Sequence, residues 1–449
     1  MTIFPDNFIW GAASSAYQIE GYPAANGGGE SVWDTFCTVS GNVFGNEDGA
    51  IAADAYHRYR EDIALMAELG IRAYRFSLSW ARIDPKGTGE WNAEGLAYYD
   101  AVVDACLEKG ITPYLTLHHW ELPQAIQNRG GWLVRETAEA FARYAGMAAA
   151  HFSGRVRNYF TLNEPQCIVK LGYHTAEHAP GLKLPVEQCF VIWKHLLLAH
   201  GLGTKAIRAA DPDALIGFAS TGKLCYPASG SPEDIAAAER ATWRINDEDW
   251  MFTHTMACDP IILGTLYPEK DSRLERFWNT FTDKEIEEIH QVPDFLGINC
   301  YNGGIVREDG PDGEAYVERY PGFPRTALKW PITPEVMYWG MKWIWQRYQK
   351  PYFISENGLS CNDKVFLDGK VHDPDRIDFL TRYLNELQKV SKETDLRGYF
   401  HWSLTDNFEW NKGYSERFGL IYIDYPTQRR IPKDSAFWYS DVIRNNGLE

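Results

Sequence analysis

Two short motifs carry carboxylates in positions where they could do chemistry. Asn163-Glu164-Pro165 and Ser355-Glu356-Asn357 each put a glutamate at the end of an apolar, aromatic run. Two carboxylates held about 5–5.5 Å apart suit double displacement at a sugar carbon, where one attacks and the other protonates the departing oxygen. Pro165 lacks a backbone donor and ends its run beside Glu164. Asn163 and Glu164 are neighbours, and an ideal pleat turns neighbours to opposite faces. Both face one pocket only if the backbone breaks there, which a strand end followed by proline permits. Each glutamate alone is equally a salt-bridge partner or a metal ligand, with His118 or His119 to assist. Four tryptophans expected at the same mouth, Trp80, Trp120, Trp402 and Trp410, fit a sugar face better than a hydrated cation. The double-displacement reading needs no metal and no organic cofactor.

Other polar residues that close apolar runs join this set. Gln18 closes residues 8–18, Arg75 lies within 71–80, and His118-His119-Trp120 closes 112–120. Asn299-Cys300-Tyr301 closes 295–301, and His401-Trp402-Ser403 closes 398–403. Polar groups gathered at strand ends argue for one polar, aromatic-lined pocket. With 156–164, 215–220 and 352–356 the runs number eight. Amphipathic stretches separate many of them: 54–69, with Tyr56, Tyr59, Ile63, Met66 and Ala67 at helical spacing, then 93–109, 135–150, 185–209 and 375–390. Strands separated by helices pair in parallel through right-handed crossovers. Eight such units predict a single α/β domain over residues 1–449, a (β/α)8 TIM barrel with long loops over its C-terminal face. A doubly wound open sheet would bring a glycine-rich phosphate turn after an early strand, and none is found. The stretch 303–334, rich in glycine, proline and charge, is expected to fold over the barrel mouth.

Composition narrows the partners. The 449-residue chain is 45% hydrophobic, enough for a large core, and carries a formal charge of −17. An acidic surface repels phosphodiesters and anionic lipid, so neither nucleic acid nor membrane is an expected partner. A homo-oligomer is compatible with such a surface. No run approaches a membrane span, and the first residues lack the basic-then-apolar pattern of a secretion signal. Eight cysteines are scattered from Cys37 to Cys361 without a CxxC pair. They read as free thiols of a reducing cytoplasm, without disulfides or zinc. Aromatic residues make up 14% of the chain, including 17 tryptophans, which fits sugar stacking or an aromatic core equally.

The motifs resemble glycoside hydrolase family 1, the β-glucosidase family, over nearly the whole chain, from Phe4-Pro5 and Trp10-Gly11 to Phe418-Gly419-Leu420. They include Gln18-Ile19-Glu20-Gly21, Arg75-Phe76-Ser77 with Ser79-Trp80, His118-His119-Trp120 and Thr161-Leu162-Asn163-Glu164-Pro165. Ser355-Glu356-Asn357-Gly358, Trp402-Ser403-Leu404 and Asp406-Asn407-Phe408-Glu409-Trp410 complete the set. The resemblance implies retaining hydrolysis of β-glucosides or cello-oligosaccharides, with Glu356 as nucleophile and Glu164 as acid/base. It implies that Gln18, His119, Trp120, Asn163, Trp402 and Glu409 hold the terminal sugar. Tyr301, Arg75 and Asn299 support the carboxylates, Trp410 and Phe418 close the sugar end, and Trp330 lines the leaving-group side. His118 and Glu20 are expected to be structural. A 6-phospho-β-glycosidase would replace Glu409 by a small residue, a thioglucosidase would lack Glu164, and a non-catalytic sugar-binding relative would lose either glutamate. Gln166, Cys167, Cys300 and Val336 depart from the common pattern and leave the leaving-group preference open.

Overall fold

The computed structural model describes residues 2–245, 248–266, 272–310 and 313–448. Eight parallel strands close into a barrel: β1 (Ile9–Ala13), β2 (Ala73–Ser77), β3 (Thr112–His118), β4 (Asn158–Asn163), β5 (Leu215–Ser220), β6 (Leu296–Asn299), β7 (Tyr352–Asn357) and β8 (Leu396–Trp402). β8 pairs with β1 in register Tyr399 to Trp10, which seals the ring. The principal outer helices are α1 (Ala55–Glu68), α2 (Ala93–Glu108), α3 (Arg135–Phe152), α4 (Val186–Ala210), α5 (Asp283–Ile289), α6 (Val336–Tyr348), α7 (Pro374–Ser391) and α8 (Asp434–Asn445). The expected barrel and the five expected helices are therefore present, with ends shifted by one or two residues.

Aromatic rings fill the barrel. Tyr114, Phe160, Phe295, Phe353 and Phe400 form one buried interior cluster, which continues through Trp402 and Phe418. Their rings meet edge to face, as at Tyr114 and Phe400, 5.0 Å apart, and Phe295 and Phe353, 5.3 Å apart. Gly11 and Gly297 make room for them: a Cβ at either would lie 2.5 Å from the Phe400 ring or 2.6 Å from the Phe160 ring. A larger cluster packs the helices onto the outside of the strands.

Two expectations are corrected, and the segment expected over the mouth carries strands of its own. The first strand stops at Ala13, not near Gln18, because the Ala16 amide donates to Ser77 Oγ at 2.7 Å instead of continuing the ladder. Gln18 consequently rides on the helical turn Ala16–Ile19. Trp80 does not stand at the mouth; it is fully buried and stacks on Tyr144 of α3 at 5.1 Å. Within 303–334 the strands Gly304–Glu308 and Glu314–Tyr316 form a small sheet with Cys225–Pro227, which steadies the segment over the barrel.

The two ends of the chain meet under the barrel. Thr2–Ile3 pairs antiparallel with Gly447–Leu448. Asn446 accepts from the Trp10 indole at 2.9 Å and donates to the carbonyls of Phe4 and Pro5 at 2.9 and 3.1 Å.

Candidate active site

The backbone does break where the two glutamates are needed. Glu164 follows β4 in the left-handed region, at φ 46° and ψ 68°, while its amide still donates to Ala219 at 2.8 Å. Pro165 then opens a short helical turn, which puts Cys167 three residues on and beside the Glu164 carboxyl. Cys167 Sγ donates to one carboxyl oxygen at 3.0 Å, and Asn299 Nδ2 donates to the other at 2.7 Å. Ser355 Oγ holds Asn299 by its Oδ1 at 2.6 Å.

Glu356 has different company. Arg75, reaching across from β2, donates to Glu356 Oε1 at 2.6 Å, and the Tyr301 hydroxyl donates to Oε2 at 2.9 Å. Arg75 is itself fixed by Thr116 Oγ1 at 3.1 Å and Asn163 Oδ1 at 2.7 Å. Asn163 Oδ1 also accepts from Asn299 at 3.1 Å, while its Nδ2 donates to His119 Nε2 at 3.0 Å. Two donors on Oδ1 orient the amide, so one Nδ2 hydrogen remains for a ligand. Burial, then the Arg75 charge, holds His119 well below its ordinary pKa. It is neutral, and its buried Nδ1 has no partner among the described residues.

The carboxyls compete for one proton. Burial, then the charge of Glu356, pushes Glu164 up to about 7, against the pull of Cys167 and Asn299. Burial raises Glu356 as well, but the Arg75 charge and the Arg75 and Tyr301 hydrogen bonds oppose it. A guanidinium favours the ionised form far more than a thiol or an amide does, so the proton belongs on Glu164. Glu409 lines the same space. Burial, then Glu356 and Glu416, pushes it up to about 8, and Gln18 Nε2 donates to it at 3.4 Å.

These groups surround a cavity of about 810 Å³ at the C-terminal ends of the strands. Trp120, Trp402, Trp410 and Phe418 form one wall, with Trp120 and Trp410 centred 4.7 Å apart and Trp402 stacked on His119 at 5.7 Å. Trp330 leans on Tyr301 at 5.2 Å and on Phe418 at 6.2 Å.

Comparison with known proteins agrees with this geometry. The profile of glycosyl hydrolase family 1 matches residues 1–448. The chain belongs to glycosyl hydrolase family 1. It is 43% identical to β-glucosidase A of Thermotoga maritima over 99% of both chains. It is 40% identical to a bifunctional β-D-glucosidase/β-D-fucosidase of Bifidobacterium breve, again over 99% of each. The solved structure of a β-glucosidase from Thermotoga maritima in complex with castanospermine superposes with a TM-score of 0.90, at 42% identity and full coverage of both chains.

Most residues picked from the sequence of this family 1 glycosidase converge on the cavity. His119, Trp120, Glu164, Asn299, Tyr301, Trp330, Glu356, Trp402, Glu409, Trp410 and Phe418 line it. Gln18, Arg75 and Asn163 are buried immediately behind, bonded to Glu409, Glu356 and His119 respectively. His118 lies outside the cavity lining, packed edge to face against Trp132 at 5.4 Å, with neither nitrogen partnered among the described residues. Glu20 pairs with Arg82 at 3.1 Å. Of the four departures from the family pattern, Cys167 and Cys300 reach the cavity, whereas Gln166 turns away to Ser220 at 2.9 Å. Sequence reading missed the contact of Cys167 with Glu164, although an i, i+3 spacing across a proline-led turn was available as a signal. It also missed Lys170 and Arg319, which line the cavity from outside the family motifs.

Proposed function

We propose that this family 1 enzyme is a retaining β-glucosidase that removes terminal glucosyl residues from aryl glucosides and short β-glucans through a covalent glycosyl-enzyme. The single observation that carries the reading is the asymmetry between the carboxyls: a guanidinium and a phenol on Glu356, an amide and a thiol on Glu164. Glu356 attacks the anomeric carbon as an anion. Glu164 gives its proton to the leaving oxygen. Once Glu356 is esterified its charge is gone, Glu164 becomes more acidic, and it takes a proton from the incoming water. Asn163 donates its spare hydrogen to the sugar 2-hydroxyl. Glu409, Gln18 and His119 receive the remaining hydroxyls, and hydroxyl donors draw Glu409 back to its ionised form. Trp402, Trp410 and Phe418 enclose the sugar, which supports action on chain ends. Fucosyl and galactosyl substrates fit the same pocket with fewer or altered bonds to Glu409. No residue role calls for a metal or cofactor. Eight free thiols support a reducing compartment such as the cytoplasm.

A 6-phosphoglucoside is disfavoured, because Glu409 beside Glu356 would repel its phosphate. The test is Glu356→Gly with added azide. Hydrolysis of a nitrophenyl β-glucoside is expected to vanish, and azide is expected to restore reaction with an α-glucosyl azide as product. A β-configured azide would assign the attack elsewhere.

A further inference from the structure

Glu164 must face the leaving oxygen, so the leaving group lies on the Glu164 side of the cavity. That side is built by the turn after β4 and the loops after β5 and β6. It is lined by Lys170, Leu171, Lys223, Leu224, Phe252 and Arg319. The charge there runs against the rest of the molecule, whose formal charge is −17. Lys223 is occupied, with Asp249 at 2.8 Å. Lys170 and Arg319 are not: neither has a carboxylate within ion-pair distance among the described residues. The Lys170 ammonium lies 5.3 Å from the centre of the Phe252 ring, and the Arg319 guanidinium donates to the Gly303 carbonyl at 2.6 Å. The acid on this wall is Glu177, exposed at the rim. Two cations without a carboxylate partner among the described residues, Lys170 against Phe252 and Arg319 against Phe323 at 5.5 Å, thus line the same cavity as Leu171, Leu224 and Trp330, a lining suited to a flat ring that carries a negative charge.

We propose that the leaving-group half of the cavity selects β-glucosides whose aglycone is an aromatic ring bearing a carboxylate, with Lys170 and Arg319 as the residues that receive the anion. The inference rests on the β-glucosidase reading and adds a substrate class to it. A half-buried ammonium and guanidinium gain more from an anion than an exposed pair does, because the cavity wall excludes part of the screening water. Guanidinium geometry also matches a carboxylate better than it matches a sugar hydroxyl.

The experiment compares kcat/KM for 4-carboxyphenyl and 4-carbamoylphenyl β-D-glucosides on the purified enzyme, at low and at high ionic strength. The two aglycones have the same shape, and the amide is the better leaving group, so a bias toward the carboxylate reports recognition. The carboxylate is expected to be favoured about threefold or more at low salt, with the ratio falling toward one as salt screens the charge. The double variant Lys170→Met, Arg319→Gln is expected to abolish the preference. Because the ratio is read within each protein, a loss common to both substrates cancels. A ratio at or below one in the unmodified enzyme, or a preference that survives both substitutions, would overturn the inference. Failure to cleave either glucoside would instead sink the underlying β-glucosidase reading.

Discussion

At the scale of residues, the site's behaviour follows from where one proton sits. With Glu164 near 7, the acid loses its proton as pH rises through neutrality, so kcat/KM for poor leaving groups is expected to fall above pH of about 7. Glu164→Ala is expected to slow an alkyl glucoside by orders of magnitude more than a dinitrophenyl glucoside, and to remove the basic limb. Equal losses on the two substrates would show that Glu164 is not the acid. Glu409 invites a second measurement. A carboxylate that takes two sugar hydroxyls gains roughly 1.5–3 kcal/mol from each charge-assisted bond. Glu409→Ser should cost tenfold or more in kcat/KM on a β-glucoside, because about 1.4 kcal/mol is tenfold. The loss should be smaller on a β-fucoside, which lacks the 6-hydroxyl; matching losses would remove Glu409 from that contact. Both glutamates and their neighbours were legible in the sequence because they close apolar runs, a position where a polar group is costly unless it has a purpose. Lys170 and Arg319 were not, because a cation in a loop reads as ordinary solvated surface until the fold shows which way the loop turns.

At the scale of elements, the strand ends carry the strain and the loops carry the positioning. Trp120, Glu164 and Trp410 all adopt left-handed backbone, at φ 77°, 46° and 51°. Each such residue costs on the order of 1–3 kcal/mol and persists only where neighbours dictate it. Behind the β8 loop, that dictation is ionic. Asp406 accepts from the partly exposed Arg417 at 2.6 Å and, in the interior, from Lys433 at 2.7 Å and from the Gly419 amide at 3.0 Å. Lys433 is fully buried and shared with Asp363. Asp406→Asn leaves the buried Lys433 and the partly exposed Arg417 short of a counter-charge, which should cost roughly 3–5 kcal/mol in denaturant unfolding. It should also raise KM for glucosides by loosening Glu409, three residues away. An unchanged unfolding midpoint would mean that Asp363 alone suffices. The strands and the longer amphipathic helices were readable from periodicity. The end of β1 was not, because a side-chain acceptor, Ser77, replaces a ladder carbonyl there. Nor was α6, whose crowd of tryptophans, tyrosine and methionine shows no clean polar face.

At the scale of the whole molecule, closure depends on contacts between the most distant parts of the chain. β8 meets β1, the first and last short strands pair, and Asn446 ties the Trp10 indole to the start of the chain. Asn446 itself sits at φ 48°, a conformation asparagine tolerates better than alanine. Asn446→Ala removes one acceptor and two donated bonds and adds backbone strain, for a loss of roughly 2–4 kcal/mol. Chemical unfolding of the two proteins checks this, with activity at low temperature expected to be unchanged, since nothing at this end touches the cavity. A midpoint within error of the parent would show that the clasp contributes nothing to closure.

The clasp of the ends has a topological consequence. Strand Thr2–Ile3 lies alongside Gly447–Leu448, so a few linking residues would join the old ends. Leu367, wholly exposed on a loop between β7 and α7, offers a place to open new ones. A circularly permuted chain starting there would present β8 before β1 yet assemble the same ring, because neighbours in space, not order of synthesis, specify the barrel. In that sense the ring of strands has no privileged first member.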